Sequence, residues 1–331
     1  KSSTVSPEKP TVDLSRNGTA NSYMVKPAGS YKFKANLKGN SGEAVGVISA
    51  VEVIYMTENK NTVRHHADSK VIRDVYYDNG YIYFSTSLDN IYGNAVIAIK
   101  DFLGNRVWSW HIWSVDYDPA EDYDLVDWGD SKRKVMKMNL GALSNDARKS
   151  ESLGMMYQWG RKDPFISTND YYGQTQCNID GLTIESDEFS EETGDIWYTL
   201  HNPNRAIKGN ENGNWLAEPN NGLWAEQKTI FDPCPPGWKV PSRPTWDGEH
   251  TSVGVFETGG LTMGGVWYPA TGFRNTSFNF TAVGHQGHYW YSTAKDDNSA
   301  YAFYFDNQNT DLANHADPKA QCNPVRCVMD E

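Results

Sequence analysis

Short runs of alternating apolar and polar residues occupy the first third of the chain. A period of two is typical of strands with one buried face. The turn triplets Asp78-Asn79-Gly80 and Leu103-Gly104-Asn105 separate apolar runs, as in hairpins. The pattern predicts a β-sandwich over residues 21–115, preceded by a polar, flexible tether at residues 1–20. The predicted strands lie at 30–35, 45–55, 71–77, 81–85, 94–100 and 107–115.

The last of these strands is rich in tryptophan. Trp108, Trp110 and Ile112 alternate on one face, and Trp113 lies on the other face with Ser109 and His111. An exposed stripe of tryptophans would suit a sugar ligand. Large aromatic side chains dominate protein cores, however, so the pattern favours a packed core or a domain junction.

Periodicity is weaker in the second half of the chain. A strand is predicted at 135–140, followed by a helix at about 146–159, because Leu153, Met156 and Tyr157 fall on one helical face. Residues 166–228 are rich in Asn, Gly, Asp and Tyr, which predicts a long loop insertion with little regular structure. Long loops on a rigid scaffold often carry binding function.

Charge is distributed unevenly along the chain. Residues 1–115 hold 13 Lys and Arg against 10 Asp and Glu, whereas the remainder holds 17 against 32. This acidic second half argues against binding to a nucleic-acid backbone, which needs clustered cations. Calcium ions and neutral sugars remain possible ligands of this half. No apolar run has the length of a membrane span.

Residues 116–130 are dense in carboxylates. Their spacing does not fit an EF-hand loop. The composition therefore favours a solvated acidic linker between two domains, at 21–115 and 131–331, over a calcium site.

The most constrained stretch of the chain is 231–242. Pro233, Pro235 and Pro236 hold the backbone extended, so that Cys234 is presented from a stiff segment. Ser242 then suits the N-cap of a helix with Trp246 in its first turn.

Six blocks of the second half resemble, in order, the signature blocks of a known family. That family is the major paralogous domain of surface lipoproteins and pilus-tip adhesins in Bacteroidetes and their relatives. The resemblance implies an α+β, C-type-lectin-like fold for residues 131–331, and similar immunoglobulin-like sandwiches precede that domain in such proteins. The blocks are 139–142 (Asn-Leu-Gly-Ala), 157–165 (Tyr-Gln-Trp-Gly-Arg-Lys-Asp-Pro-Phe), 232–238 (Asp-Pro-Cys-Pro-Pro-Gly-Trp), 268–274 (Tyr-Pro-Ala-Thr-Gly-Phe-Arg), 289–293 (Tyr-Trp-Tyr-Ser-Thr) and 325–327 (Val-Arg-Cys).

The four cysteines all lie in the second half. The resemblance implies a disulfide between Cys234 and Cys327, and Cys177 would pair with Cys322 if a second bridge forms. An alternative pairs Cys322 with Cys327, whose Cys-x-x-x-x-Cys spacing is that of the formylglycine-generating enzymes. The surrounding arginine-rich catalytic motif of those enzymes is missing, so we expect a protein without enzymatic activity.

The resemblance also implies that any ligand is held on the loop side of the second domain. Flat aromatic faces beside amides and carboxylates suit a sugar. No cofactor is expected, although calcium stays an alternative that would need several oxygen ligands together. An alternative role for the two tryptophans of the insertion, Trp215 and Trp224, is to anchor the insertion to the body of the domain. The candidate residues are Trp215, Asn220, Asn221 and Trp224 in the insertion, and Asn275, Asp296, Asp297 and Asn298 in later loops.

Two short motifs carry less weight. The triplet Glu218-Pro219-Asn220 matches one by which some C-type lectins hold calcium and sugar, but it precedes Cys234 where those lectins place it afterwards. His285 and His288 lack an obvious third metal ligand.

The sequence thus favours an exported adhesin or binding protein at the outer-membrane surface or in an extracellular fimbrium. Its expected partners are a glycan, a host or bacterial surface protein, or other pilus subunits. The alternative is a structural pilus or stalk subunit without glycan binding.

Overall fold

Strands dominate the first part of the chain. The computed structural model describes residues 11–58, 62–64, 70–128, 131–168, 185–243, 245, 254–257 and 259–331. The strands up to residue 114 are β1 (Val12–Asp13), β2 (Ser22–Val25), β3 (Ser30–Lys34), β4 (Ala50–Glu58), β5 (Thr62–Arg64), β6 (Ile72–Asp78), β7 (Tyr81–Thr86), β8 (Gly93–Lys100) and β9 (Arg106–Ser114).

These strands form two sheets, ordered β1-β3-β7-β6 and β2-β9-β8-β4-β5. Phe33 and Phe84 from the first sheet and Trp110 from the second share one buried cluster, and the rings of Phe33 and Trp110 are 5.3 Å apart. The predicted turn at Asn79 and Gly80 joins β6 to β7 with φ values of 47° and 84°. A positive φ at both turn residues matches the twist of a hairpin. The predicted sandwich is confirmed.

The second part of the chain is also mainly strand, in short pieces. Its described helices are the 3-10 turn Ser150–Ser152 and α1 (Ile196–His201). Its strands are β10 (Tyr123–Trp128), β11 (Ser131–Met136), β12 (Met156–Gln158), β13 (Ser186–Asp187), β14 (Ala206–Ile207), β15 (Trp238–Lys239), β16 (Val255–Glu257), β17 (Gly260–Met263), β18 (Val266–Pro269), β19 (Phe273–Arg274), β20 (Phe280–Thr281), β21 (Gly287–Ala294), β22 (Ser299–Phe305), β23 (Thr310–Asp311), β24 (Ala316–Pro318), β25 (Cys322–Pro324) and β26 (Val328–Met329).

The sheets of the second part link segments that are far apart in sequence. The orders are β10-β11-β26-β15, β12-β25-β19-β20 and β16-β17-β18, with β13 paired to β14. Strands β21 and β22 form a hairpin, and β22 also pairs with β23 and β24. The C-terminal strands β25 and β26 therefore lie within two different sheets.

The sandwich and the second part share a buried junction. Strand β9 places Trp108 and Trp110 in the sandwich core, whereas Trp113 faces the second part and donates from Nε1 to Ala142 O at 2.7 Å. Lys162 and Asp163 form a buried ion pair of 2.7 Å, and Ser109 on β9 donates to the same carboxylate. All three tryptophans are buried, so the packed-core and junction interpretation is confirmed.

The stretch 231–242 is held by one carboxylate and one disulfide. Asp232 accepts from the backbone N–H groups of Cys234 and Val240, both at 2.8 Å, and so closes the proline-rich loop. Cys234 is bonded to Cys327, as expected. The loop docks on β2, where Ser22 donates to Pro233 O at 2.7 Å. The 231–242 loop is therefore linked to the C-terminal end of the chain through Cys327 and to the sandwich through Ser22.

The second disulfide is not part of the described structure. Cys322 is a free, buried thiol, and Cys177 lies outside the described residues. Burial raises the pKa of the Cys322 thiol to about 12, which keeps it protonated and unreactive.

Several boundaries differ from the sequence-based expectations. The expected tether at 1–20 already pairs with β3 at Val12 and Asp13, while residues 1–10 lie outside the described residues. The acidic linker at 116–130 contains β10, whose hairpin with β11 buries Val126. Trp246 and the helix predicted after Ser242 fall almost wholly outside the described residues.

The helix predicted at 146–159 is wrong. The segment forms one 3-10 turn and then β12, and Gly154 adopts a φ of 76°. A Cβ at Gly154 would lie 2.8 Å from the Asn139 Cβ, so the chain turns there against a neighbouring strand end. Leu153 ends this turn and Met156 and Tyr157 lie in β12, so the three buried residues do not share a helical face.

Across the part of the chain that the structure describes, no helix has both the length and the apolar character needed to cross a membrane.

Candidate functional site

A cleft of about 570 Å³ lies where the sandwich meets the insertion. Lys38 and Trp108 contribute the sandwich wall, and α1 with its preceding turn contributes the opposite wall. The segment 216–220 closes one side, and Ile230 and Phe231 form the apolar floor. We call this space the junction cleft.

Helix α1 presents an indole ring at this cleft. Asp195 is the N-cap and accepts from the backbone N–H of Trp197 at 2.6 Å. Thr199 and Leu200 are buried, with Leu200 in the sandwich core, so the opposite side of this short helix faces solvent. Trp197 is 58% exposed as a result. An exposed tryptophan held on a capped helix is a preformed aromatic platform.

The helix is fixed by a close backbone approach. Ala217 N–H donates to Gly194 O at 3.0 Å, and a Cβ at Gly194 would lie 2.8 Å from Ala217 N. Only glycine fits at this position without displacing the 216–220 segment. This contact fixes α1 against the 216–220 segment, so these two sides of the cleft keep a fixed spacing.

The charges around the cleft are of both signs. The Lys38 ammonium lies 5.9 Å from the Trp108 ring centre and 5.7 Å from the Trp197 ring centre, and it forms an ion pair with Glu43. Glu191 and Glu218 are exposed at the rim. The cleft thus offers an aromatic face, one neutralised cation and free carboxylates.

The triplet Glu218-Pro219-Asn220 lines this cleft, although its sequence position argued against a role. Asn220 is exposed, and its Oδ1 accepts from the Gly222 N–H at 2.9 Å, which closes the turn. Among the eight candidate ligand residues, Asn220 is the one that lines the junction cleft.

The two candidate tryptophans do not form a sugar platform. Trp215 and Trp224 are each 1% exposed. Trp215 Nε1 donates to Trp159 O at 2.8 Å, and Trp224 Nε1 donates to Phe231 O at 2.9 Å. The alternative interpretation is therefore correct: both rings anchor the insertion to the body of the domain.

Asn221 and Asp297 are brought together, as part of a structural cluster around Lys319. Asn221 Nδ2 donates to Asp297 Oδ1 at 3.1 Å, and the Lys319 ammonium donates to Asn221 Oδ1 and, at 3.0 Å, to Asp297 O. The Lys319 N–H donates to Asn298 O at 2.9 Å. Burial lowers the pKa of Lys319 to about 8, against the opposing attraction of Asp297 and Asp296. These groups join the insertion to the β21–β22 turn.

Asn275 and Asp296 hold their own turns. Asn275 Oδ1 accepts from Ser277 N–H at 3.0 Å and Asn279 N–H at 3.1 Å. Asp296 Oδ1 accepts from two backbone N–H groups of its turn, at 2.9 and 2.8 Å. A ligand role for these two loops stays a prediction.

Sequence reasoning did not single out Trp197 or Lys38. The sequence did carry a signal for Trp197. Asp195, which follows Gly194, is a typical N-cap residue, so the residues after it are expected in the first turn of a helix. Lys38 had no such signal, since it joins the cleft only through the packing of the two parts.

A second group of side chains has metal-ligand character. His288, His315 and Asp317 converge, whereas His285, which the sequence suggested as the partner of His288, is an exposed loop residue outside this cluster. The cluster contains two nitrogens, so it is not the set of oxygen ligands that the calcium alternative requires.

Comparison with known proteins adds no relative: no family model, no curated protein and no solved structure matches this chain.

Proposed function

We propose that this protein is a cell-surface adhesin or binding protein that holds a glycan in the junction cleft. The observation that carries this proposal is the exposed indole of Trp197 at the mouth of a preformed cleft. A sugar ring stacks its apolar C–H face on an aromatic side chain, and nearby carboxylates and amides bind its hydroxyls.

The other groups at the cleft fit this ligand class. Glu191, Glu218 and Asn220 place hydrogen-bonding oxygens and an amide around the indole. The second half of the chain is acidic, which disfavours polyanions such as nucleic acids and leaves neutral sugars or cationic surfaces as partners. The volume is within the range that small-molecule sites occupy.

For the second part we propose a C-type-lectin-like major paralogous domain, carried by an immunoglobulin-like sandwich. The six signature blocks in order support this, and the bond between Cys234 and Cys327 joins two of them. A disulfide of this kind fits an oxidising compartment. Together with the resemblance, this supports our proposal that the protein lies at the outer-membrane surface or in an extracellular fimbrium.

The competing enzyme hypothesis needed Cys322 and Cys327 to act as a redox pair. Cys327 is bonded to Cys234, and Cys322 is a buried thiol. The hypothesis thus loses the cysteine pair on which it rested.

A glycan and surface-protein array tests the proposal. The full chain, the Trp197→Ala variant and the Phe102→Ala variant are applied with and without EDTA. Phe102 is a matched control, because it is an aromatic ring 78% exposed on a sandwich turn and does not line the cleft.

We expect glycan binding by the full chain and by Phe102→Ala, and loss of at least tenfold in affinity in Trp197→Ala. Loss of binding in the presence of EDTA would indicate that glycan binding depends on calcium. Absence of any glycan signal, with binding only to other pilus subunits, would contradict the proposal and support the structural-subunit alternative.

A further inference from the structure

Three side chains from two segments of the chain meet at one end of the β21–β22–β24 sheet. His288 lies on β21, Asp317 lies on β24, and His315 precedes β24. His288 Nδ1 is 2.9 Å from Asp317 Oδ2, and His315 Nε2 is 3.0 Å from Asp317 Oδ1. One ligand atom from each residue lies within 4.8 Å of the others.

The cluster is closed on one side and open on the other. The side chains of His288 and Asp317 are 5% and 7% exposed, whereas that of His315 is 28% exposed. The Phe273 ring lies 4.6 Å from the His288 ring, and the Tyr304 ring stacks on the His315 ring at 4.5 Å. These rings hold both imidazoles in place, and solvent reaches the group from the His315 side.

A second set of hydrogen bonds orients the three side chains. Asn323 Nδ2 donates to Asp317 Oδ2 at 2.9 Å. Without a metal, His288 Nδ1–H donates to Asp317 Oδ2; when Nδ1 binds a metal instead, the ring proton is on Nε2 and faces Gln286 Oε1, which lies 3.4 Å away. Metal-ligating histidines are oriented in this way by a partner on the other ring nitrogen.

We propose that His288, His315 and Asp317 form a binding site for a divalent transition metal, with zinc as the ion of choice. Two imidazole nitrogens and one carboxylate are a donor set that zinc accepts, with a fourth position left for water or a ligand. Bonds of about 2.0–2.1 Å place tetrahedral ligands roughly 3.4 Å apart. The two imidazole nitrogens contact different oxygens of Asp317, and the ligand atoms lie within 4.8 Å of one another, so the side chains must close by up to about 1.4 Å around the ion. The open fourth position lies on the His315 side.

This site is independent of the junction cleft, which none of its residues lines. The competing explanation is a metal-free clamp in which Asp317 joins β21 to the segment before β24 by hydrogen bonds alone. The two explanations differ in one property, which is binding of the ion itself.

The test uses the full chain without a histidine tag. Calorimetric titration with zinc chloride gives stoichiometry and affinity, and addition of cobalt chloride reports geometry through visible d–d absorption. The variants are His315→Ala and Asp317→Asn, with His285→Ala as the matched control. Circular dichroism of each metal-free variant establishes that it is folded.

We expect one zinc per chain, and the cobalt spectrum of a four-coordinate site with nitrogen and oxygen ligands. His315→Ala and Asp317→Asn should each bind zinc at least tenfold more weakly, while His285→Ala retains wild-type affinity. His315→Ala carries the test alone if Asp317→Asn does not fold, because His315 is the least buried of the three.

Two results overturn the proposal. Zinc affinity that is unchanged in His315→Ala assigns the metal to other histidines of the chain. No measurable zinc or cobalt binding by the wild-type chain leaves the hydrogen-bonded clamp as the function of the cluster.

Discussion

Asn221 donates from its side-chain amide to Asp297 at 3.1 Å, although 76 positions separate the two residues. Both accept hydrogen bonds from the Lys319 ammonium, which lies 4.6 Å from the Trp159 ring centre. Two candidate ligand residues thus satisfy a buried cation and fasten the insertion to the β21–β22 turn. Their role is structural support for the loop face.

Replacing Asn221 by alanine should lower the free energy of unfolding by about 1–3 kcal/mol, because the variant leaves the Lys319 ammonium with one acceptor fewer. Urea denaturation measures this. Asn212→Ala is the control, since Asn212 is exposed in the same insertion and its side chain bonds to none of the described residues. Equal stability of the two variants would refute the structural role.

The stability of the protein should depend on pH through Lys319. The folded protein releases this proton at about pH 8 and the unfolded chain at about 10.5, so between those values the unfolded state binds more protons. The contribution of Lys319 to the free energy of unfolding therefore rises with pH across this window, on the order of 3 kcal/mol in full.

The measurement is the difference in unfolding free energy between the wild type and Lys319→Met at several pH values. We expect this difference to shift in favour of the wild type from pH 8 to 10.5. Lys295→Met, at an exposed lysine of the adjacent turn, is the control. A difference for Lys319→Met that stays flat over the window would contradict the assignment.

The whole chain should unfold in one calorimetric transition. Ile54, Tyr55 and Trp113 of the sandwich lie in the same buried cluster as Leu140 and Met156 of the second part. Separating the parts would expose this surface to water. We therefore expect that neither of the two domains predicted from the sequence folds alone. Two well-resolved transitions, or a cooperative transition of residues 131–331 alone at the temperature of the full chain, would contradict this.

Removing the disulfide should destabilise the protein strongly. Cys234 and Cys327 are 93 positions apart, and a loop of that length corresponds to roughly 4–5 kcal/mol of chain entropy. Chemical denaturation of the Cys234→Ser, Cys327→Ser double variant measures the effect. Peptide mapping under non-reducing conditions checks the pairing, and a peptide joining Cys322 to Cys327 would contradict it.

The sandwich was predictable where a strand alternates between buried and half-exposed residues. In β7, Ile82, Phe84 and Thr86 are buried while the residues between them are half-exposed, so a period of two was visible in the sequence. The segment 153–160 gave a false helical signal. Its apolar residues are buried on several sides, and the spacing of such residues does not distinguish a helix from a buried turn and strand.

The candidate site was less predictable, since it depends on contacts across the chain. Lys38, Trp197 and Glu218 meet only after the insertion packs on the sandwich. Trp215 and Trp224 had the composition of a sugar site, but composition does not state which way a ring faces.

The proposed metal site had a partial signal in the sequence. His315 and Asp317 are two residues apart, and residues with this spacing face the same side of an extended segment.

The most direct test of the junction cleft is fluorine NMR of the full chain labelled with 5-fluorotryptophan, titrated with the strongest glycan from the array. The Trp197 resonance is assigned by its loss in Trp197→Phe. We predict a saturable shift of this resonance, while those of the buried Trp215 and Trp224 stay in place. An unmoved Trp197 resonance at saturating glycan would contradict the account.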